Sequence, residues 1–301
     1  QDFVGSNNIN LLNPIGQFGT RLMGGKDAAS PRYIFTNLSD KTQVLFQKED
    51  DPLLDYLDDD GFKIEPKYYI PTLPTVLING SEGIGTGYSS FVPCYNPVEI
   101  KEQIKNILEN KPVEELTPYY QGFKGTIERN EDGNYTVKGI YKQTSSCTLE
   151  ITELPVGKWT QDYKEFLENI TEGGTGNGKK IYLSNYENHS TENSVYLKLT
   201  FIDGELAKLV KSKNLEKELK LCSSLSIKNM HLFDRNNNIK KYNTVKEILH
   251  EFVEVRQEYY QKRKDYNLKV MNNELTILDY KIKFIQSVVD GSFIIFKRKK
   301  Q

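Results

Sequence analysis

Between Gly204 and Gly291 the chain holds neither glycine nor proline, while all eleven prolines lie at or before Pro155. These two residues are the strongest breakers of regular structure, so the front half is turn-rich and the back half is built from long uninterrupted elements. The extreme case is Asn243 to Asp290, which reads as one helix, capped by Thr244 or Asn243 and ended by Gly291. At about 1.5 Å per residue it reaches roughly 70 Å. Its apolar stripe is Val245, Ile248, Phe252, Val255, Tyr259, Tyr266, Val270, Ile277, Tyr280, Phe284 and Val288, with Lys262 and Asn273 filling gaps. Globular helices seldom run that long, so a coiled-coil arm is expected. One long helix lying across a domain is the alternative.

A chain of 301 residues accommodates two ordinary domains, or one domain with an extension. No apolar run approaches the length of a membrane span. The opening QDFVGSNNIN has neither the basic start nor the apolar stretch of a signal peptide. A net charge of −1 excludes a globally basic nucleic-acid coat but leaves room for a local basic patch. Cys94, Cys147 and Cys222 are too scattered for a zinc site or a disulfide framework, which fits a reducing compartment. His189, His231 and His250 are scattered too, which argues against a histidine-based metal site. Only seven of the 40 basic residues are arginines, the type suited to bidentate phosphate contacts, so each is worth locating.

A strand-like stretch lies at Tyr33-Ile34-Phe35-Thr36. Residues 40–60 hold eight acids and two lysines and read as a solvated loop and helix; Asp58-Asp59-Asp60-Gly61 lacks the alternating spacing of a calcium loop. Pro97 to Asn110 is a helix capped by Asn96, with Ile100, Ile104, Ile107 and Leu108 on one face. From Gly122 to Leu154 the alternation predicts antiparallel sheet, with a hairpin turn at Asp132-Gly133-Asn134. Trp159 to Ile170 and Glu205 to Leu219 are helical, and Val195 to Phe201 and Leu221 to Phe233 are strands.

Two motif matches fail. The run from Gly173 to Lys180 resembles a phosphate loop but has Lys180 where Ser or Thr is required. The run from Asp234 has Ile239 at the obligatory glycine of a calcium loop and Val245 at its twelfth position, so it is a turn. Two other stretches carry more. In Gly24-Gly25-Lys26-Asp27-Ala28-Ala29-Ser30-Pro31-Arg32-Tyr33, small residues leave room for an approaching ligand beside an Arg-Tyr pair. A phenol can be a nucleophile, and a neighbouring guanidinium can lower its pKa and bind a phosphate; packing beside a strand is the plainer alternative. In Gly80-Ser81-Glu82-Gly83-Ile84-Gly85-Thr86-Gly87-Tyr88, one isoleucine is flanked by glycines. That suits an apolar wedge of the kind that kinks DNA, or a tight bend with Ile84 turned into the core.

Both stretches occur together, about 50 residues apart. With Phe3 to Asn8, Pro14 to Arg21, Tyr69-Ile70-Pro71 and Glu153-Leu154-Pro155-Val156 followed by Trp159-Thr160-Gln161, the whole chain resembles eukaryotic-type DNA topoisomerase II. The resemblance implies an α+β chain: the C-terminal part of a winged-helix domain over 1–70, a tower domain with antiparallel sheet and helices over 71–240, and a coiled-coil arm over 241–301 leading to an exit gate. It implies transient double-strand cleavage through a tyrosyl 5′-phosphodiester, with DNA bending and strand passage. Tyr33 falls on the nucleophile and Arg32 on the arginine that holds the scissile phosphate. Lys26 and Ser30 match positions close to the DNA backbone, and Ile84 matches the residue that enters the base stack. Met23 and Tyr88 depart from the histidine and tryptophan expected there.

Arg21 and Lys164 are further DNA-binding candidates, with Lys142, Lys158, Lys179 and Lys180 held more loosely. The acidic 40–60 segment is expected to face away from the duplex. The resemblance implies double-stranded DNA as partner, a homodimer in the full-length protein, no membrane, and a nuclear location, or a cytoplasmic one if the chain is virus-encoded. Mg²⁺ and ATP are both implied, each bound outside this segment. No general base accompanies Tyr33 in sequence, and a tyrosine is mostly protonated at neutral pH. The chain alone is therefore expected to cleave poorly or not at all. A non-catalytic DNA-binding coiled-coil scaffold is the alternative. A tyrosine recombinase would need a basic and histidine constellation that is absent.

Overall fold

The structure, a computed structural model, describes residues 1–171 and 182–294. The phosphate-loop-like run from Gly173 to Lys180 and the basic tail Lys297-Arg298-Lys299-Lys300 lie outside the described residues. The chain divides into two compact units. The first comprises Gln1–Leu45 and Pro71–Val253, the second Phe46–Ile70 and Glu254–Gln301. Among the described residues no helix is long and apolar enough to cross a membrane.

In chain order the elements begin with α1 (Asp40–Leu45), the hairpin β1 (Tyr56–Asp59) and β2 (Phe62–Pro66), and α2 (Thr75–Ile78). Next come the hairpin β3 (Ser81–Ile84) and β4 (Ser89–Val92), and α3 (Pro97–Leu108). Four strands follow: β5 (Thr126–Arg129), β6 (Tyr135–Lys138), β7 (Ile140–Gln143) and β8 (Thr148–Glu153). Then come α4 (Thr160–Ile170), β9 (Leu183–Asn188), β10 (Leu197–Phe201), α5 (Glu205–Lys211) and α6 (Leu215–Glu218). The last are β11 (Cys222–Leu225), β12 (Met230–Phe233), β13 (Ile239–Tyr242) and α7 (Val245–Val289). Every strand pair is antiparallel, and the mixed α/β composition agrees with the class expected.

The first unit holds its main core on a four-stranded sheet of order β7-β8-β10-β9. Strict alternation in β10 buries Leu197, Leu199 and Phe201 and leaves Lys198 and Thr200 outward. Leu149 and Ile151 of β8 face the same core, as do Tyr163, Leu167 and Ile170 at helical spacing on α4. The alternation from Gly122 to Leu154 does not form one sheet. β5 and β6 join β11 instead, in the order β11-β6-β5. The switch comes at Gly139, where a side chain would collide with the Glu153 carbonyl oxygen; only glycine lets the backbone cross so closely.

Other expectations shift by an element. Glu205 to Leu219 breaks into α5 and α6 at Lys213, which takes a left-handed φ of 58°. Leu221 to Phe233 is two strands in different sheets, and β12 pairs with β13 across the Asp234–Asn238 turn, where Asp234 Oδ1 accepts from Asn236 N and Asn238 N. On α3, capped by Asn96 as expected, Ile100 is buried and Leu108 points outward.

The 45-residue α7 begins with a reciprocal cap: Thr244 Oγ1 accepts from Glu247 N at 3.3 Å and Glu247 Oε2 from Asn243 N at 3.1 Å. The expected stripe is buried only at its start. Val245 and Ile248, with neighbouring Leu249, enter the first unit's core, and Tyr259 is buried, whereas Tyr266, Ile277, Tyr280 and Phe284 are exposed. A second row is unbroken: Leu268, Met271, Leu275, Leu278, Ile282, Ile285 and Val289 alternate steps of three and four and are all exposed. That is the alternating three-and-four spacing of a heptad pattern.

In the second unit the acidic run is not uniformly solvated. Asp50 is buried, and its carboxylate accepts from Arg256 Nη1 at 2.7 Å and Arg263 Nε at 2.8 Å. Removing one partner of a buried ion pair strands the other in a low-dielectric site. Asp50→Ala is expected to lower the stability of this unit by about 3–5 kcal/mol, read as a lower urea midpoint with α7 helicity as the probe. An unchanged midpoint would show that the cluster carries no net stability.

Candidate nucleic-acid interface

The segment ahead of Tyr33 is a loop held from below. Asp27 accepts from Thr20 N at 2.8 Å and from the Thr20 hydroxyl at 2.5 Å, which closes residues 20–27 into a compact turn. Burial acts to raise the Asp27 carboxyl, but the Thr20 hydrogen bonds outweigh it and hold the group below its ordinary value. The Gly24-Gly25 pair provides room more than flexibility. Gly24 has φ 61° and lies directly against the Trp159 indole, where a Cβ would enter the ring. Phe3 meets the same indole edge-on at 5.6 Å, and Gln161 N donates to Leu22 O.

Arg21 fastens this loop to β8. It is 4% exposed, pairs with Glu153 and donates to Leu154 O. Glu153 also accepts from Lys124 N and Leu154 N, so its oxygens are fully engaged. The DNA contact expected at Arg21 is corrected accordingly: its guanidinium is internal, already neutralised, and closed to a phosphate.

Above this platform Lys26, Ser30, Arg32 and Tyr33 are all exposed. Pro31–Tyr33 is a single 3-10 turn rather than the start of a strand, because proline at its first position presets φ and removes a donor that the turn does not use. Tyr33 N donates to Ser30 O at 2.9 Å. Of Tyr33 to Thr36 only Phe35 pairs in β fashion, with Ile15, and Leu38 beyond it pairs with Leu12. The turn leaves the Tyr33 side chain 67% exposed, with the Arg32 guanidinium 5.1 Å from its ring centroid. Neither Arg32 nor Lys26 has an ion-pair partner among the described residues. An uncompensated guanidinium thus lies beside an exposed phenol, which is an arrangement suited to a phosphodiester. Among the described residues no group of three His, Cys, Asp or Glu side chains is placed to hold a metal ion.

Ile84 ends β3 at the tip of its hairpin and is 95% exposed, so the reading in which it turns into the core is excluded. The loop closes by Gly85 N donating to Tyr88 O at 2.8 Å, and Tyr88 packs on Gly85 so closely that a Cβ there would touch its ring. β4 is fastened to β12 and its approach: Phe91 N donates to Asn229 O, Ser90 Oγ to His231 O, and Asn229 Nδ2 to Ser89 Oγ.

Two asparagines that sequence pattern does not single out join the pieces. Asn8 donates to Tyr95 O and Tyr119 O and accepts from Gln121 N. Asn79, beside the base of the Ile84 hairpin, exchanges two hydrogen bonds with the Ile9 backbone. Their only signal in the sequence is an asparagine next to a turn. Lys164 lies on α4, partly exposed and 3.8 Å from Glu168. Lys142 is exposed and Lys158 half-buried, while Lys179 and Lys180 lie outside the described residues.

The sequence model of the family of DNA gyrase/topoisomerase IV A-type subunits matches residues 1–301. The whole chain is similar to the protein named DNA topoisomerase 2 from Pisum sativum, at 48% identity over 301 residues. It is similar to DNA topoisomerase 2-alpha from Mus musculus at 42%. The chain spans 20% of the length of each. A crystal structure of the Plasmodium falciparum topoisomerase II DNA-binding, cleavage and re-ligation domain superposes with a TM-score of 0.91 at 45% identity. That match covers all of this chain and 40% of the solved one.

Because the Asp27 value is depressed in the fold, its contribution is fully present above the ordinary aspartate value of 3.8 and is lost as pH falls through the lower folded value. Trp159, which touches this loop, reports the loss by fluorescence. Wild-type emission is expected to stay level down to that range, then change. Asp27→Asn is expected to be about 1 kcal/mol less stable at neutral pH and to show a shallower acid dependence. Identical acid profiles would remove Asp27 from the loop's support.

Proposed function

The chain belongs to the family of DNA gyrase/topoisomerase IV A-type subunits, and from that premise we propose that it is the DNA breakage–reunion segment of a type II DNA topoisomerase. The observation that carries this reading is the exposed Tyr33 on its 3-10 turn beside the unpaired Arg32. In the reaction the Tyr33 phenolic oxygen attacks the phosphorus of a DNA phosphodiester. A bond to the 5′ phosphate forms, the bond to O3′ breaks, and the 3′ oxygen leaves with a proton. Resealing is the reverse, with O3′ attacking the phosphotyrosine. Arg32 neutralises the charge that gathers on the non-bridging oxygens. Lys26 and Ser30 position the adjoining backbone, and Ile84 inserts between base pairs to bend the duplex.

On this reading residues 1–70 complete a winged-helix domain, 71–240 form the tower, and the two apolar rows of α7 pair with a returning helix in a coiled coil. Among the described residues no carboxylate cluster lies beside Tyr33 for a metal. By family resemblance, Mg²⁺, which would supply charge neutralisation at the phosphate, and ATP are assigned to other parts of the parent protein. That protein acts as a homodimer on double-stranded DNA, and the nucleus is the compartment that fits its substrate.

The test is denaturant-trapped covalent adduct on supercoiled plasmid with Mg²⁺, using the full-length parent. Tyr33→Phe is expected to abolish adduct while retaining DNA binding, and Arg32→Ala to slow cleavage by about 10²–10³-fold. Ile84→Ala is expected to reduce bending in an end-labelled energy-transfer assay and leave the nucleophile intact. Undiminished adduct in Tyr33→Phe would overturn the assignment.

A further inference from the structure

A cavity of about 580 Å³ lies within the first unit, between the β3–β4 hairpin, the β11 edge of the three-stranded sheet and the turn before α4. Small-molecule sites fall in the range of about 300–1,000 Å³. Its apolar walls are Phe91, Tyr120, Val137, Val156 and Trp159. None of Arg32, Tyr33, Lys26 or Ile84 lines it, so it stands apart from the chemistry assigned above.

Glu82 is the only charged side chain among the lining residues, and it has no ion-pair or hydrogen-bond partner among the described residues. Its carboxylate is felt inside the cavity. The Tyr120 phenol is pushed up first by burial, then by Cys94 and, more weakly, by Glu82. Burial pushes the Cys94 thiol up to about 12, so it stays neutral at physiological pH and adds no second charge. The hydroxyls of Ser81, Ser223 and Ser224, also on the lining, have no protein partner among the described residues. β3 pairs only with β4, and β11 only with β6, so each leaves one edge of backbone donors and acceptors uncovered.

Aromatic walls, unspent hydroxyls and a single unpaired carboxylate form a combination that selects its occupant. An anion is repelled by Glu82, and a saturated apolar molecule leaves the polar rim unsatisfied. We propose that this cavity is a binding site for a small aromatic cation, its ring against Trp159 and Phe91 and its positive group at Glu82. The ring faces supply cation–π attraction in addition to the carboxylate.

Trp159 is the only tryptophan in the chain, so its fluorescence reports this cavity directly. The probes are phenethylammonium, phenethyl alcohol and phenylacetate, which share a ring and differ in charge. Phenethylammonium is expected to give a saturable change with Kd on the order of 1 mM. The alcohol is expected to bind about threefold to fivefold more weakly, the scale of one solvent-accessible ion pair. Phenylacetate is expected to give no saturable response. Glu82→Gln is expected to bring the cation down to the alcohol's affinity, and Glu82→Lys to reverse the preference toward phenylacetate. Thermal melting of both variants checks that the fold is retained, which is expected because Glu82 is exposed. Equal responses to all three probes, no saturable response to the cation, or a cation preference that survives both substitutions would overturn the proposal.

Discussion

The buried pair between Arg21 and Glu153 is the contact on which the rest of the interface depends. It joins two segments 132 residues apart in sequence, the loop ahead of Tyr33 and the end of β8. Taking both charges out of water is costly, and such pairs contribute little net stability compared with an apolar replacement. What the pair supplies is a unique register. Glu153 accepts from Arg21 and from the backbones of Lys124 and Leu154. No neighbouring position offers the same three donors. Trp159, held against Gly24, fixes the second coordinate of the loop. The exposed turn can therefore carry reactive groups with few contacts of its own.

The same logic explains two exposed side chains that would be unfavourable elsewhere. Tyr33 and Ile84 each stand on short, tightly hydrogen-bonded turns, one preset by Pro31 and one closed between Gly85 and Tyr88. Each turn is anchored near its base through partly buried polar contacts, Asn79 to Ile9 for the hairpin and Ser39 to Asn10 for the segment after Tyr33. Cores take up apolar surface by default. A large side chain left outside by a well-braced turn is open to a partner surface.

The periodic parts of this fold were legible in the sequence and the junctions were not. Leu197-Lys198-Leu199-Thr200-Phe201 announces a half-buried strand, and Asn96-Pro97 announces a helix start, because each signal is local. Gly139 switches sheets because of a carbonyl from Glu153, and Asp50 is buried because of arginines more than 200 residues away. Neither partner lies within any local window. Arg21 shows the same limit in the site itself. Its basic neighbourhood suggested a phosphate, and its actual partner is an acid distant in sequence. Tyr33 and Arg32 are singled out only by resemblance to a family, since an Arg-Tyr pair alone carries almost no information.

The arginines sharpen the distinction between support and chemistry. Arg21, Arg256 and Arg263 are each turned inward onto a carboxylate, and Arg129 pairs with Glu115. Arg32 pairs with none among the described residues and leans on the Tyr33 ring. A guanidinium committed to a protein carboxylate has its charge spent, and a phosphate would have to displace that carboxylate to use it. One left beside a phenol keeps its planar donors free for an oxyanion. The scarcity of arginine in this lysine-rich chain thus has a physical reading. Inside the fold, at Arg21, Arg256 and Arg263, a fixed fork of donors sets register, and at the exposed Arg32 the same fork is left without a carboxylate partner among the described residues.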